Sequence, residues 1–61
     1  MPEVVVYAVK GRTHAQKKML MQKITQAVVE SFDIDAERVI VQIVEADPEH
    51  KSRGGVLYSE R

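Results

Sequence analysis

The sequence contains no cysteine and no tryptophan, and it has a single phenylalanine among 61 residues. Without cysteine, neither a disulfide bond nor a thiolate-bound metal can reinforce the fold. No apolar run approaches the ~20 residues of a membrane span. The valines near the N-terminus follow an acidic residue, which is not the pattern of a signal peptide. We therefore expect a cytoplasmic protein.

Charge of one sign is not in excess either. Nine Lys and Arg residues balance nine Asp and Glu residues, so the formal net charge is zero. Such a chain has no overall field that favours nucleic acid or an anionic membrane, and neither is a predicted partner. We interpret residues 1–61 as one domain. A chain this short buries only about 60% of its unfolded surface, and oligomerisation is a common remedy.

Two segments are predicted to be strands, Val4–Val9 and Arg38 to about Glu45, and both are apolar on both faces. Between them, Thr13 and Gln16 have the spacing of a capping box, which predicts a helix from His14 to about Phe32. At 1.5 Å per residue the helix is roughly 28 Å long and can return along the whole first strand. The fold class is therefore α/β, with a parallel βαβ unit.

The helical period divides the predicted helix into two faces. Lysines, including Lys17, belong to the polar face. The predicted apolar face contains Leu20, Met21, Ile24, Ala27, Val28, Ser31 and Phe32. One helix covers only one face of a two-stranded sheet, although both strands are apolar on both faces. We therefore predict that another copy of the chain covers the second face.

The last third of the sequence is polar and rich in turn-forming residues. Residues 46–55 end in Gly54-Gly55, a pair that predicts a turn. Val56–Tyr58 then predicts a short C-terminal strand, alone or as half of a hairpin.

Pro2 directly follows the initiator methionine, and a methionine before a small residue is commonly removed. Its removal would leave Pro2 with a free secondary amine. An α-amino group titrates closer to neutrality than lysine does, and burial lowers its pKa by disfavouring the charged form. Such an amine can act as a general base. The alternative is a proline that merely begins an edge strand, where its missing N–H costs nothing.

Pro2, the Lys10-Gly11-Arg12-Thr13 turn, Gln16-Lys17 and Gly54-Gly55 occur in an order that resembles the 4-oxalocrotonate tautomerase family of the tautomerase superfamily. The resemblance covers essentially the whole chain. It implies βαβ subunits in a homohexamer, assembled as a trimer of dimers. It also implies proton transfer on small keto or unsaturated acids, with Pro2 as the catalytic residue, Arg12 binding the substrate carboxylate and no metal or organic cofactor.

The sequence also departs from the family pattern. Ile40 stands where the resemblance implies a second catalytic arginine, and Lys51 stands near an expected aromatic residue. Four cationic or potentially cationic residues can compensate: Arg53, Lys51, His50 and Arg38. Arg53, beside two glycines, is the substrate-binding residue that we expect to do so. Two alternatives remain open. One is a Pro2-dependent hydratase, dehalogenase or decarboxylase acting on unsaturated acids, and the other is a non-catalytic oligomeric binding module.

The length of the first strand separates the two main site residues. Pro2 to Val9 spans seven steps, or roughly 23 Å of strand, and Arg12 follows after a short turn. We therefore expect the Arg12 that works with a given Pro2 to come from a neighbouring subunit, as antiparallel association of two subunits would allow.

Overall fold

A computed structural model describes residues 1–61 and has a βαβ unit followed by a small hairpin. Strand β1 (Glu3–Val9) leads through helix α1 (His14–Phe32) to strand β2 (Ile40–Ala46). The two strands pair in parallel, from Glu3 opposite Ile40 to Val9 opposite Ala46. The predicted fold class and strand pairing are confirmed.

Both ends of α1 are fixed by local hydrogen bonds. The side chain of Thr13 accepts from the backbone N–H of Gln16 at 3.1 Å, and the side chain of Gln16 accepts from the backbone N–H of Thr13 at 3.0 Å. At the other end, Asp33 adopts a left-handed conformation with φ 55°, and its N–H donates to the carbonyl of Val29. The predicted helix bounds and capping box are confirmed.

The face that α1 turns toward the sheet differs from the prediction. Met21, Ile24 and Val28 are half-buried as expected, and Thr25 and Val29 join them. The predicted contributions of Ala27, Ser31 and Phe32 are wrong, since all three are exposed and Phe32 is 64% exposed. Leu20 is 40% exposed but lines a groove together with Val6 and Ile43 of the sheet. The two-stranded sheet is narrow, so it covers only part of the apolar stripe.

The start of β2 also differs from the prediction. Arg38 ends a 3₁₀ turn, Ala36–Arg38, so β2 begins at Ile40 and not at Arg38. The turn forms because the N–H groups of Arg38 and Val39 donate to the carbonyls of Asp35 and Ala36, each at 3.0 Å.

The C-terminal segment forms a hairpin. Strands β3 (Ser52–Arg53) and β4 (Val56–Leu57) pair antiparallel. Gly54 and Gly55 have φ values of 62° and 83°, which is the pattern of a type I′ turn and requires residues that tolerate positive φ. Tyr58 begins a 3₁₀ turn that extends to Glu60, so the predicted closing strand ends one residue earlier.

Another 3₁₀ turn, Pro48–His50, precedes the hairpin. The side chain of Asp47 caps it by accepting from the N–H of Glu49 at 2.9 Å. Residues 46–55 are therefore more ordered than the turn that was predicted for them.

The second face of the β1–β2 sheet is uncovered. We call this the open face, and it is formed by Glu3, Val5, Tyr7, Ile40, Gln42 and Val44, all of them exposed. Tyr7 is 75% exposed, and none of the 61 residues is fully buried. No helix is both long and apolar enough to cross a membrane.

Candidate active site

Pro2 lies at the start of β1, directly beside the start of β2. Its carbonyl oxygen accepts a hydrogen bond from the N–H of Ile40 at 3.1 Å, which extends the strand ladder by one bond. Pro2 is half-buried, whereas Met1 before it is 86% exposed. Pro2 is thus held in place by the strand pairing. Met1, whose peptide bond occupies the nitrogen of Pro2, extends into solvent.

Arg12 lies beyond the other end of β1, in the loop between Val9 and α1. The loop turns at Gly11, whose φ of 135° favours glycine. Arg12 is exposed and lines a groove of about 270 Å³ between the sheet and the first turns of α1. We call this the Arg12 groove, and its lining residues are Val6, Ala8, Val9, Arg12, Gln16, Lys17, Leu20, Ile43 and Glu45.

Pro2 and Arg12 of one chain are separated by the whole length of β1. The strand has seven residues, which at ~3.3 Å each is roughly 23 Å. An arginine side chain does not reach across that distance. A single subunit therefore does not bring these two residues together.

Arg53 is exposed at the end of β3, next to the glycine turn of the hairpin. Its guanidinium group makes no hydrogen bond or ion pair within the chain. The structure does not join Arg53 to the Arg12 groove, whose lining does not include it. Arg53 is thus an exposed cation without a partner in its own chain.

The two departures from the family pattern have different surroundings. The side chain of Ile40 is 41% exposed on the open face, beside Pro2. Lys51 is half-buried, and its Nζ lies 5.6 Å from the centroid of the Tyr58 ring, which Arg61 approaches at 5.4 Å. Lys51 is thus beside an aromatic ring, as a cation–π partner.

The Arg12 groove contains an ion pair that was not predicted from the sequence. The Nζ of Lys17 lies 3.2 Å from a carboxylate oxygen of Glu45, and the two side chains are only 32% and 27% exposed. The prediction that Lys17 belongs to the solvent face of α1 is therefore wrong. The periodicity of the two elements does indicate this pair. Lys17 precedes the half-buried Met21 by one helical turn, and Glu45 follows Ile43 on the same face of β2, so both lie on the sides where helix and sheet meet.

The groove combines an apolar wall with a small number of charges. Five of its nine lining residues are hydrophobic, and the charged ones are Arg12, Lys17 and Glu45. Arg12 has no ion-pair partner, so its planar guanidinium is available to bind a carboxylate through two hydrogen bonds. Such a groove suits a small carboxylic acid with an apolar carbon chain.

Comparisons with known proteins identify the family. Residues 2–61 match the sequence model of a family described as tautomerase enzyme. A probable tautomerase of Bradyrhizobium diazoefficiens is 46% identical over 61 residues, which are 100% of this chain and 91% of the relative. The 2-hydroxymuconate tautomerase of Bacillus subtilis is 37% identical over 60 residues, covering 98% of this chain and 97% of the relative.

Solved structures show the same fold. A 4-oxalocrotonate tautomerase homologue superposes with a TM-score of 0.93 at 26% identity, covering 100% of this chain and 97% of that one. A heterohexameric 4-oxalocrotonate tautomerase from Chloroflexus aurantiacus superposes with a TM-score of 0.88 at 28% identity, covering 98% and 97%. With 60 of 61 residues in the family match, the chain belongs to the tautomerase family and is an enzyme of the isomerase class.

Proposed function

We propose that this tautomerase moves a proton between carbons of a small keto or enol acid, with Pro2 as the general base once Met1 has been removed. The observation that carries the proposal is the position of Pro2. It is half-buried at the head of β1, held by Ile40, in a chain that belongs to the tautomerase family.

The chemistry follows from the nitrogen of Pro2. As a free secondary amine in its neutral form, it accepts a proton from the substrate, either from a carbon next to a carbonyl or from an enol oxygen. The electron pair of the broken bond moves into the conjugated carbonyl system, which becomes enolate-like. The amine, now protonated, gives the proton to a carbon of the conjugated system that did not carry it before, and the double bond ends in a new position.

Arg12 of a neighbouring subunit would hold the substrate carboxylate. Support for a neighbour comes from the roughly 23 Å of strand that separates Pro2 and Arg12 within one chain. If two subunits associate with their β1 strands antiparallel, the Pro2 end of one faces the Arg12 end of the other. The site is then completed by assembly.

Arg53 is proposed to stabilise the enolate-like oxygen. It has no partner within its own chain, and both residues of the short strand that carries it are exposed. A cation aimed at an oxygen that gains charge during the reaction lowers the barrier more than one that binds the ground state.

The assembly is proposed to be a homohexamer built from dimers. The isolated chain exposes 4991 Å², whereas a compact monomer of 6.9 kDa would expose about 4,000 Å². Its radius of gyration is 14.6 Å, against about 10.5 Å for a compact domain of this length. The uncovered open face accounts for part of the excess, and one structural relative is itself a heterohexamer.

The test is turnover of 2-hydroxy-2,4-dienoic acids, followed by their ultraviolet absorbance and by proton NMR in deuterium oxide. Wild-type protein should convert the enol to the conjugated ketone and place deuterium at one carbon. Arg12→Ala should raise KM more than it lowers kcat, because Arg12 binds the carboxylate in the ground state as well. A cytoplasmic location belongs to the same proposal, and fractionation of the native host would test it.

A further inference from the structure

The charges of the Arg12 groove do not suit every small acid equally. Arg12, Lys17 and Glu45 are its charged lining residues, and Lys17 is already paired with Glu45 at 3.2 Å. The groove therefore offers one unpaired positive charge, that of Arg12. A substrate with one carboxylate uses this charge fully, and a second carboxylate finds no free cation.

We propose that the Lys17–Glu45 pair makes this site selective for acids that carry a single carboxylate and an apolar chain. The inference rests on the proposed function, because it takes the Arg12 groove to be the place where the substrate acid binds. It names the substrate class of that site.

The position of the pair explains the selectivity. Lys17 and Glu45 are each about one-third exposed or less, so their charges are less screened than those of surface residues. A second carboxylate that approached Lys17 would lie beside the carboxylate of Glu45 and be repelled by it. To bind Lys17 it would have to displace Glu45 and leave that carboxylate partly desolvated and unpaired, which is unfavourable.

The rest of the groove favours an apolar hydrocarbon chain. Val6, Ala8, Val9, Leu20 and Ile43 form its apolar lining, and Leu20 is still 40% exposed without a ligand. Covering these side chains with an alkyl or alkenyl tail removes apolar surface from water, which stabilises the complex. At about 270 Å³ the groove lies just below the usual range for drug-sized ligands, so the acid is a short one.

The chain segments beside Pro2, at the other end of the proposed site, supply no free cation of their own. Its hydrogen-bonded neighbour is Ile40, an apolar side chain. Arg38, two residues earlier, lies in a small depression with Asp33 and Asp35, whose negative charges oppose its own. A terminal carboxylate pointing toward Pro2 would meet no unopposed positive charge from Ile40 or Arg38, and Arg53 is occupied by the enolate-like oxygen in the proposed reaction.

Two acids of equal length separate the possibilities. One is 2-hydroxyhexa-2,4-dienoate, which ends in a methyl group, and the other is 2-hydroxymuconate, which ends in a carboxylate. For the wild-type enzyme we expect kcat/KM to be about tenfold higher for the methyl-ended acid, the scale of a single charge-assisted contact. Equal turnover, or a preference for the dicarboxylate, would overturn the inference.

Substitutions then assign the selectivity to the pair. Glu45→Gln frees Lys17 and should reduce the preference to near unity by improving turnover of the dicarboxylate. Lys17→Gln combined with Glu45→Gln keeps the net charge of the groove but removes the repulsion by Glu45 without freeing a cation, so its preference should lie between those of the wild type and Glu45→Gln. Glu49→Gln removes an exposed acid outside the groove and serves as the control. If Glu45→Gln leaves the ratio unchanged, the pair does not set the selectivity.

A binding measurement keeps this inference separate from the proposed reaction. Hexanoate and adipate have the same chain length, with one and two carboxylates, and calorimetric titration of each needs no turnover. If neither dienoic acid is converted but hexanoate binds more tightly, the proposed reaction fails and the selectivity stands. If adipate binds as tightly as hexanoate, or if neither acid binds, the selectivity fails.

Discussion

The N–H of Ile40 donates to the carbonyl oxygen of Pro2 at 3.1 Å, so the heads of the two long strands are joined by a hydrogen bond. This bond uses the carbonyl of Pro2 and not its nitrogen. Removing Met1 would therefore free the amine without breaking the contact that holds the residue in place. The same bond puts an apolar side chain next to Pro2, where the family resemblance implies an arginine.

The open face should be an interface. We expect the wild-type protein to sediment or elute as six 6.9-kDa chains, about 41 kDa, in sizing coupled to light scattering. Tyr7→Asp places a charge in the middle of that face and should shift the protein to smaller species, because an unpaired buried charge is costly. Lys23→Asp, on the exposed side of α1, is the matched control and should not change the mass. A wild-type monomer at micromolar concentration would contradict the assembly.

Complementation should show whether Pro2 and Arg12 act across subunits. Pro2→Ala and Arg12→Ala chains, unfolded together and refolded as mixed oligomers, form some sites with an intact Pro2 and an intact Arg12. With random mixing of equal amounts, about a quarter of the sites of a symmetric assembly are intact. At substrate concentrations well below KM, and after the residual activities of the two variants are subtracted, we expect about that fraction of the wild-type activity. If confirmed mixed oligomers show no gain, the site lies within one chain.

The capping box should contribute measurably to the stability of α1. Thr13→Ala removes the side-chain oxygen that accepts from the N–H of Gln16, and should lower the free energy of unfolding by about 1 kcal/mol. Thr13→Ser keeps the oxygen and should lose much less. Denaturant unfolding followed by circular dichroism, at one fixed protein concentration, gives both values. An equal loss in the two variants would indicate that the methyl group, and not the cap, matters.

The fold could be predicted largely because its signals are local. The capping box at Thr13 and Gln16 defined the start of α1, and the two-sided apolar pattern of both strands predicted their parallel pairing and the open face. Val56 and Leu57 were recognisable as a strand, because a glycine pair precedes them. These features depend on residues that are close in sequence.

The errors came from features that depend on neighbours in space. The orientation of α1 is set by how much of its apolar stripe a two-stranded sheet can cover, and this left Phe32 exposed. The pairing of Lys17 with Glu45 joins residues 28 positions apart. Lys17 was predicted to be solvent-exposed because lysine usually is, although its helical spacing from Met21 places it near the sheet. The roles of Pro2, Arg12 and Arg53 came from the family resemblance, and they stay predictions.

The pH dependence of turnover should report the protonation state of the Pro2 amine. Below its pKa the nitrogen of Pro2 is protonated and cannot accept a proton, so activity should be low in acid and rise with pH as one group loses its proton. An unperturbed α-amino group titrates at about 7.7–8.0, and desolvation would move the rise to lower pH. Pro2→Ala keeps a primary amine and should retain part of the activity with a single rising limb. An activity that falls over this range would instead indicate a protonated Pro2 acting as an acid.

The central claim is that Pro2 works only as a free amine, and one measurement tests it directly. With Met1 attached, the nitrogen of Pro2 belongs to a tertiary amide, whose lone pair is delocalised into the carbonyl and which has no proton to exchange. Intact-mass spectrometry identifies preparations with and without Met1, and kcat/KM is then measured on each with the same 2-hydroxydienoic acid. We predict full activity for the processed protein and nearly none for the form that retains Met1. Equal turnover by a preparation whose mass shows Met1 still in place would contradict the account.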